Sequence, residues 1–247
     1  MTVDVTPAVR EFLLAIADDK HLMGQQHAEW IGVTPFLEED LAFCSIGQDE
    51  LGHAALLYEL LAGDDDAAID SLAYDRGADK YRSCHLVELA TDDWTVAFAR
   101  HWLFDTADQY RWALVSQSTI PELQDVAARV EREERFHRLH ADNMLDVLLA
   151  DATARDRFVT AVAALAPLTQ GLFEPVPGEA EAVATGVAAG PFAAEWDAFV
   201  ETIEARIGAV DWGSAPSQAQ RTQRSDDWQA LMARMREVID LDLSATW

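Results

Sequence analysis

The feature of the sequence that most limits its fold is a carboxylate–imidazole pair inside an apolar helical pattern, and the pattern occurs twice. In QDELGHAALLYELL, Glu50 and His53 stand three residues apart, so they share one face of a helix. The same face carries apolar side chains, namely Ala42, Ile46, Leu57 and Leu60. Because ionisable groups are costly to bury alone, a chain that buries this face must place compensating groups opposite it.

The second pair lies in EREERFHRLHADNML. The apolar stripe of this helix is formed by Val126, Val130, Ala141, Met144 and Leu148. His137 falls near the centre of the stripe and Glu134 inside one edge. Glu133 and His140 fall nearer the opposite edge, and the helical wheel alone does not exclude them. The match with the spacing of Glu50 and His53 favours Glu134 and His137.

Helical spacing of apolar residues dominates the chain, and alternating strand patterns are rare. It predicts helices from Pro7 to about Ile31, from Pro35 through the first pair, over 92–118, over 121–150, over 152–168, and around 192–208 and 226–241. Residues 63–70 are predicted as an acidic turn and 173–191 as irregular. We therefore predict an all-α fold in one domain, 1–247, with a ferritin-like four-helix bundle core over about 7–150 and additional C-terminal helices and an irregular segment over about 151–247.

Two inward Glu-x-x-His pairs, with one carboxylate from each of two other helices, are what a bundle needs to hold a di-iron or dimanganese centre. On the third helix Asp105 lies within an aromatic stripe, with Asp108 on its margin. On the first helix the candidate is Glu29, although it points away from the main apolar stripe of that helix. The predicted metal ligands are Glu29, Glu50, His53, Asp105, Glu134 and His137. The alternative is a bundle whose polar core is held by Glu–His and Asp–Arg hydrogen bonds without metal.

Composition limits the partners. The net charge of −26 argues against nucleic acid, because phosphate binding needs clustered Lys and Arg. The acidity indicates either a solvated surface, of the kind that suits a salty cytosol, or a docking face for a basic partner. No apolar run is long enough for a membrane span, and no secretory signal is apparent, so we predict a cytoplasmic protein. Cys44 and Cys84 imply neither a metal pair nor a disulfide.

These segments resemble a known family. HAEWIGVTP, DLAFCSIGQDELGHAALLYELL, FARHWLFDTADQYRWAL and EREERFHRLHADNML are similar to the phenylacetyl-CoA epoxidase (phenylacetate-CoA oxygenase) PaaA/PaaC family. The resemblance covers roughly 8–170 well and the remainder weakly. It is closer to the PaaC-type subunit than to the catalytic PaaA-type subunit.

The resemblance implies a subunit of a multicomponent, O₂-dependent oxygenase that epoxidises an aromatic acyl-CoA in phenylacetate catabolism. Its partners would be a homologous catalytic or structural subunit and a reductase. If this chain carries a di-iron centre, the resemblance implies bridging roles for Glu50 and Glu134. His53 and His137 would then each cap one metal, and Glu29 and Asp105 would be terminal ligands. The alternatives are a non-catalytic subunit that supports a homologous catalytic subunit, and a stand-alone di-iron oxidase.

Overall fold

The computed structural model describes residues 3–214 and 221–242, and every regular element in these ranges is a helix, which confirms the predicted all-α class. The α-helices are α1 (Pro7–Ala28), α2 (Leu37–Ala62), α3 (Asp66–Tyr74), α4 (His85–Glu88), α5 (Trp94–Val115), α6 (Pro121–Ala150), α7 (Ala152–Thr169), α8 (Glu179–Ala184), α9 (Trp196–Ile207) and α10 (Trp228–Arg236). Short 3₁₀ turns join several of them. The assignment of 1–247 to one domain remains a prediction.

The ends of the long helices follow from local chemistry. Thr6 caps α1 by accepting a hydrogen bond from the Val9 amide, and proline occupies the first turn. Asp93 caps α5 in the same way through the Thr95 amide. Pro121 opens α6, which runs to Ala150, as the sequence predicts.

Two segments differ from the prediction. Residues 63–70, predicted as an acidic turn, contain the start of α3, because the Asp65 carboxylate accepts hydrogen bonds from the amides of Ala67 and Ala68 and caps a helix there. The segment 173–191, predicted as irregular, contains the short helix α8. Both helices lie outside the four long helices that build the bundle.

The helices α1, α2, α5 and α6 form the bundle, with α7 packed against α5 and α6. Glycines let α1 and α2 approach closely, since a Cβ on Gly24 would lie 3.0 Å from the Gly47 carbonyl oxygen. Together with α4 and α8, which also pack on α1, this approach buries α1 on nearly all sides, so residues 12–24 are buried whether apolar or charged. None of the helices in the described ranges combines the length and the apolar character needed to cross a bilayer.

The hydrophobic core is divided into two clusters along the bundle. One cluster takes residues 9–17 of α1, 54–61 of α2 and 123–130 of α6. The other begins at Leu22 of α1, and takes Phe43 of α2 and Ala141 of α6. Between these apolar stretches each of the four long helices carries buried ionisable residues, so the bundle has a buried charged layer between two apolar layers.

Candidate metal centre

The charged layer is centred on four buried carboxyl groups and one buried lysine. We call the set Glu50, Asp105, Asp108, Glu134 and Lys20 the carboxylate cluster; each of its residues is at most 1% exposed. The four carboxyl groups come from α2, α5 and α6, and the lysine comes from α1. The helical period explains the arrangement, because each position lies on the core face of its helix one or two turns from an apolar neighbour.

The Lys20 ammonium sits among three of these carboxyl groups. Lys20 Nζ lies 2.9 Å from Glu50 Oε2, 2.5 Å from Asp108 Oδ2 and 2.5 Å from Glu134 Oε1. The three partners come from three different helices. Lys20 therefore joins α1 to the other three bundle helices at one place, and supplies a positive charge where the carboxylates converge.

Charge and burial set the protonation of the cluster. Burial alone would lower the pKa of Lys20, but the charges of Asp108, Glu134 and Glu50 outweigh it and hold that pKa well above its usual range. Burial would likewise raise the pKa of Glu134, but Lys20 and then His137 hold it well below its usual range.

The pKa values of Glu50 and Asp105 shift in the opposite direction. Burial raises the pKa of Glu50 and of Asp105 well above the usual range, and the Glu134 charge adds to both shifts. Burial thus favours the protonated forms of Glu50 and Asp105, while the contact with Lys20 favours the charged form of Glu134.

Two imidazoles point into the cluster through Nδ1. His53 Nδ1 lies 3.9 Å from both Glu50 Oε2 and Glu134 Oε1, and His137 Nδ1 lies 3.6 Å from Glu134 Oε1. Neither Nδ1 makes a hydrogen bond, and both side chains are at most 2% exposed. Burial and then the Lys20 charge lower the pKa of His53 to about 4.

The other nitrogen of each imidazole is held by a carboxylate on the facing helix. His53 Nε2 lies 2.7 Å from Glu133 Oε2, and His137 Nε2 lies 3.1 Å from Asp49 Oδ2. Burial would lower the pKa of His137, but its contacts with Asp49 and Glu134 raise it to about 11. An imidazole that is oriented by a carboxylate through one nitrogen and faces inward through the other has the geometry of a metal ligand.

Five of the six residues predicted as metal ligands converge here, and Glu29 does not. The Glu29 carboxylate lies at the C-terminal end of α1 and pairs with the Arg234 guanidinium at 2.6 Å. It stands nine residues beyond Lys20, about 13 Å along the helix. The correction is therefore that α1 contributes Lys20, and not a carboxylate, to the cluster.

The structure also places Glu133, His140 and Asp108, which lie near the edges of the predicted apolar stripes. Glu133 does not enter the cluster but orients His53, and His140 pairs with Glu39 at 3.2 Å. Asp108, predicted on the margin of its stripe, contacts Lys20 directly. The helical wheel placed Glu133 and Asp108 near the edges of their stripes, which was the one signal for these roles.

The donor set fits one metal ion more readily than two. Four side chains each place one donor atom within 4.8 Å of the others, namely Glu50, Asp105, Glu134 and His137. These hard oxygens and one imidazole suit iron or manganese. A second ion would have to share Glu50 and Glu134 with the Lys20 ammonium, which already contacts both. The cluster could hold a metal ion, but the described contacts do not fit a dinuclear centre.

Two cavities border the cluster. One, of about 300 Å³, lies between α5 and α6 and is lined by Asp108, Glu131, Glu134 and Arg138 among others. The other, of about 320 Å³, lies between α5, α6 and α9 and is lined by Asp105, Gln109 and Arg138 among others. Asp105, Asp108 and Glu134 of the cluster thus each line a cavity.

The substitution Glu29→Ala tests whether the Glu29 carboxylate lies outside the buried cluster. We expect it to change the free energy of unfolding by less than about 0.5 kcal/mol, because the Glu29–Arg234 pair is exposed to solvent. Urea unfolding of the variant and the parent protein measures this. A loss of more than about 2 kcal/mol would show that Glu29 belongs to the buried network after all.

The sequence is similar to proteins of phenylacetic acid catabolism. The model of the phenylacetic acid catabolic protein family, which comprises PaaA and PaaC, matches residues 1–247. A relative is the C subunit of 1,2-phenylacetyl-CoA epoxidase from Escherichia coli (strain K12), which is 32% identical over 129 residues. That alignment covers 51% of this chain and 51% of the relative, so the chain spans about half the length of the curated relative it matches.

Proposed function

Since the chain belongs to the phenylacetic acid catabolic protein family, we propose that it is a PaaC-type subunit of a multicomponent aromatic acyl-CoA epoxidase. The substrate class is an aromatic acyl-CoA of the phenylacetyl-CoA type, and the co-substrate is O₂. A homologous subunit and a reductase are the proposed partners, and the cytoplasm is the proposed location. The similarity to the C subunit of an epoxidase supports this assignment.

Within such an assembly we propose a supporting role for this chain. The observation that carries this proposal is Lys20, whose ammonium lies where a carboxylate-bridged dinuclear centre needs room for a second cation. A chain that places a lysine among its buried carboxylates would not need a metal ion to offset their charge. The oxygen chemistry would then belong to the homologous partner.

Two surface properties support a role in assembly. Large apolar side chains on the outer faces of α2 and α6 are more than half exposed, namely Leu37, Leu41, Phe136, Leu139 and Val147. The contact between Glu39 and His140 brings these parts of α2 and α6 side by side, and exposed apolar residues grouped in this way are typical of protein interfaces. The net charge of −26 also makes this chain a poor site for the phosphates of coenzyme A, so a partner would supply the basic groups.

The second candidate is a catalytic subunit with a di-iron centre of its own. The observation that favours it is the inward, unpartnered Nδ1 of both His53 and His137. In that case Glu50, Asp105 and Glu134 would join the two imidazoles as ligands. Carboxylate and imidazole ligands leave open positions on iron, and the iron would supply the oxygen chemistry.

Reconstitution separates the two candidates. The chain is purified alone and after co-expression with a homologous PaaA-type subunit, and each preparation is mixed with the reductase, phenylacetyl-CoA and O₂. We expect a stable complex, with substrate consumed by the complex and not by the chain alone. Failure to form a complex would contradict the supporting role, and turnover by the chain alone with about two irons bound would establish the catalytic candidate.

A further inference from the structure

The contribution of α1 to the bundle centre has the wrong sign of charge for a dinuclear metal site. Such a site takes a Glu-x-x-His pair from each of two helices and a carboxylate from each of the other two. Here α2 and α6 supply the pairs, and α5 supplies Asp105 and Asp108. The α1 side chain that contacts these groups is Lys20, so the helix that should complete the site brings an ammonium.

The ammonium has the surroundings of a bound cation. Its nitrogen lies within 2.9 Å of carboxyl oxygens from α2, α5 and α6, and the side chain is 1% exposed. Two of these partners, Glu50 and Glu134, are the carboxyl groups of the Glu-x-x-His pairs, which would bridge two metals in a dinuclear site. A metal ion at this position and the Lys20 ammonium exclude each other, by contact and by repulsion.

The rest of the site keeps features that a lysine does not explain. The Nδ1 atoms of His53 and His137 face the carboxyl groups without a hydrogen bond, and both rings are fixed from behind by Glu133 and Asp49. Both oxygens of Asp105 also lack a hydrogen bond, although Oδ2 lies 3.3 Å from His101 Nδ1. Buried polar groups without partners cost free energy, and donors preset in this way are what a metal requires.

We propose that Lys20 is a tethered cation that occupies one of two metal positions, so that replacing it opens a dinuclear metal site in this chain. The inference extends the supporting role proposed above and rests on it for its biological meaning. In its present form the cluster holds at most one ion, at the Asp105 and His137 end. Lys20 is thus the residue that determines whether this bundle can hold a metal pair.

The test is the charge reversal Lys20→Glu, which removes the ammonium and supplies the carboxylate that α1 lacks. Lys80→Glu is the matched control, because Lys80 is the other lysine of the chain and its side chain is 65% exposed. Each protein is expressed and purified with Mn²⁺, dialysed, and assayed for bound manganese by elemental analysis. Electron paramagnetic resonance then distinguishes a spin-coupled pair of Mn²⁺ ions from an isolated ion.

We expect Lys20→Glu to hold about two Mn²⁺ ions per chain with a spin-coupled spectrum, and the parent and Lys80→Glu proteins to hold no more than one. We also expect Mn²⁺ to raise the unfolding temperature of Lys20→Glu far more than that of the parent, since the variant adds a buried carboxylate and removes the ammonium that faces the others. A Lys20→Glu protein that folds only with Mn²⁺ supports the proposal equally.

A second variant, Lys20→Met, empties the position without adding a ligand, so it is expected to bind a second Mn²⁺ ion at higher metal concentration than Lys20→Glu. The proposal is overturned if neither variant binds more Mn²⁺ than the parent, or if the parent itself binds two ions. These measurements use the isolated chain. Their failure is therefore distinct from a failure to form the oxygenase complex, which would count against the proposed function.

Discussion

Replacing Lys20 with methionine is expected to lower the free energy of unfolding by about 3–5 kcal/mol at neutral pH, in the absence of added metal. The substitution keeps most of the side-chain volume but removes the one charge that faces Glu50, Asp108 and Glu134 together. Removing one partner of a buried ion pair leaves the others without compensation. Urea unfolding followed by circular dichroism gives the difference directly.

The same variant has a predicted pH dependence. Lys20 lowers the pKa of Glu134 in the folded state, against the effect of burial. The stabilisation from that carboxylate is therefore present above its ordinary value of 4.5 and is lost as the pH falls through the lower folded value. The difference between the parent protein and Lys20→Met should thus be large at pH 7 and shrink only below about pH 4.5.

Lys80→Met is the control for this comparison. The Lys80 side chain is 65% exposed, and within the described residues its ion pair is with the exposed Asp79 carboxylate. We expect it to change the free energy of unfolding by less than about 0.5 kcal/mol. Equal effects of Lys20→Met and Lys80→Met would mean that the Lys20 ammonium does not compensate the cluster.

Removing the Asp19 carboxylate by Asp19→Ala is expected to cost a similar amount, about 3–5 kcal/mol. Asp19 Oδ2 accepts from Arg111 Nη2 at 2.8 Å and from Arg221 Nη1 at 2.7 Å, and its other oxygen accepts from the Cys84 amide. All of these groups are buried. Without Asp19, the Arg111 and Arg221 guanidiniums lose their shared counterion.

The free energy of unfolding at acid pH should depend on the protonation of Asp19. Burial would raise the pKa of Asp19, but Arg221 and Arg111 outweigh it and lower that pKa below the ordinary 3.8. The contribution of Asp19 is therefore complete above pH 3.8 and is lost as the pH falls through the lower folded value. Asp79→Ala, at a carboxylate that is 75% exposed, is the control and should stay close to the parent. A cost below about 1 kcal/mol for Asp19→Ala would contradict this account.

The two predictions concern one continuous network. Arg111 contacts Asp108 at 3.1 Å and Asp19 at 2.8 Å, so it joins the carboxylate cluster to the Asp19 site. Arg221, the first residue of the described range 221–242, contacts Asp19 at 2.7 Å and so extends the network to the C-terminal part of the chain. The C-terminal part of the chain is thus tied to the charged layer of the bundle by a buried ion pair.

Much of this arrangement is readable from the sequence. The period of 3.6 residues places Glu50, His53, Glu134 and His137 on core faces, and proline or aspartate at the starts of helices locates α5 and α6. The register of α6 follows from the repeat of the Glu-x-x-His spacing. These features are local, so they need no knowledge of which helix packs on which.

The role of Lys20 is not readable in the same way. A helical wheel assumes that one face is exposed, but α1 is enclosed on nearly all sides, so the run Asp18, Asp19, Lys20 and His21 is buried although it is fully ionisable. Asp18, Asp19 and Lys20 are tolerated there because partners arrive from distant parts of the chain, such as Arg76 for Asp18 and Arg221 for Asp19. The sequence signal was four ionisable residues between two apolar stretches, which indicates a buried polar layer but not its pairing.

The measurement that tests the central claim most directly is a crystal structure of the parent protein grown with Mn²⁺, with anomalous scattering data. The account predicts the Lys20 ammonium among Glu50, Asp108 and Glu134, and at most one anomalous peak in the cluster. Two peaks about 3.5–4 Å apart, with the lysine side chain displaced, would contradict it.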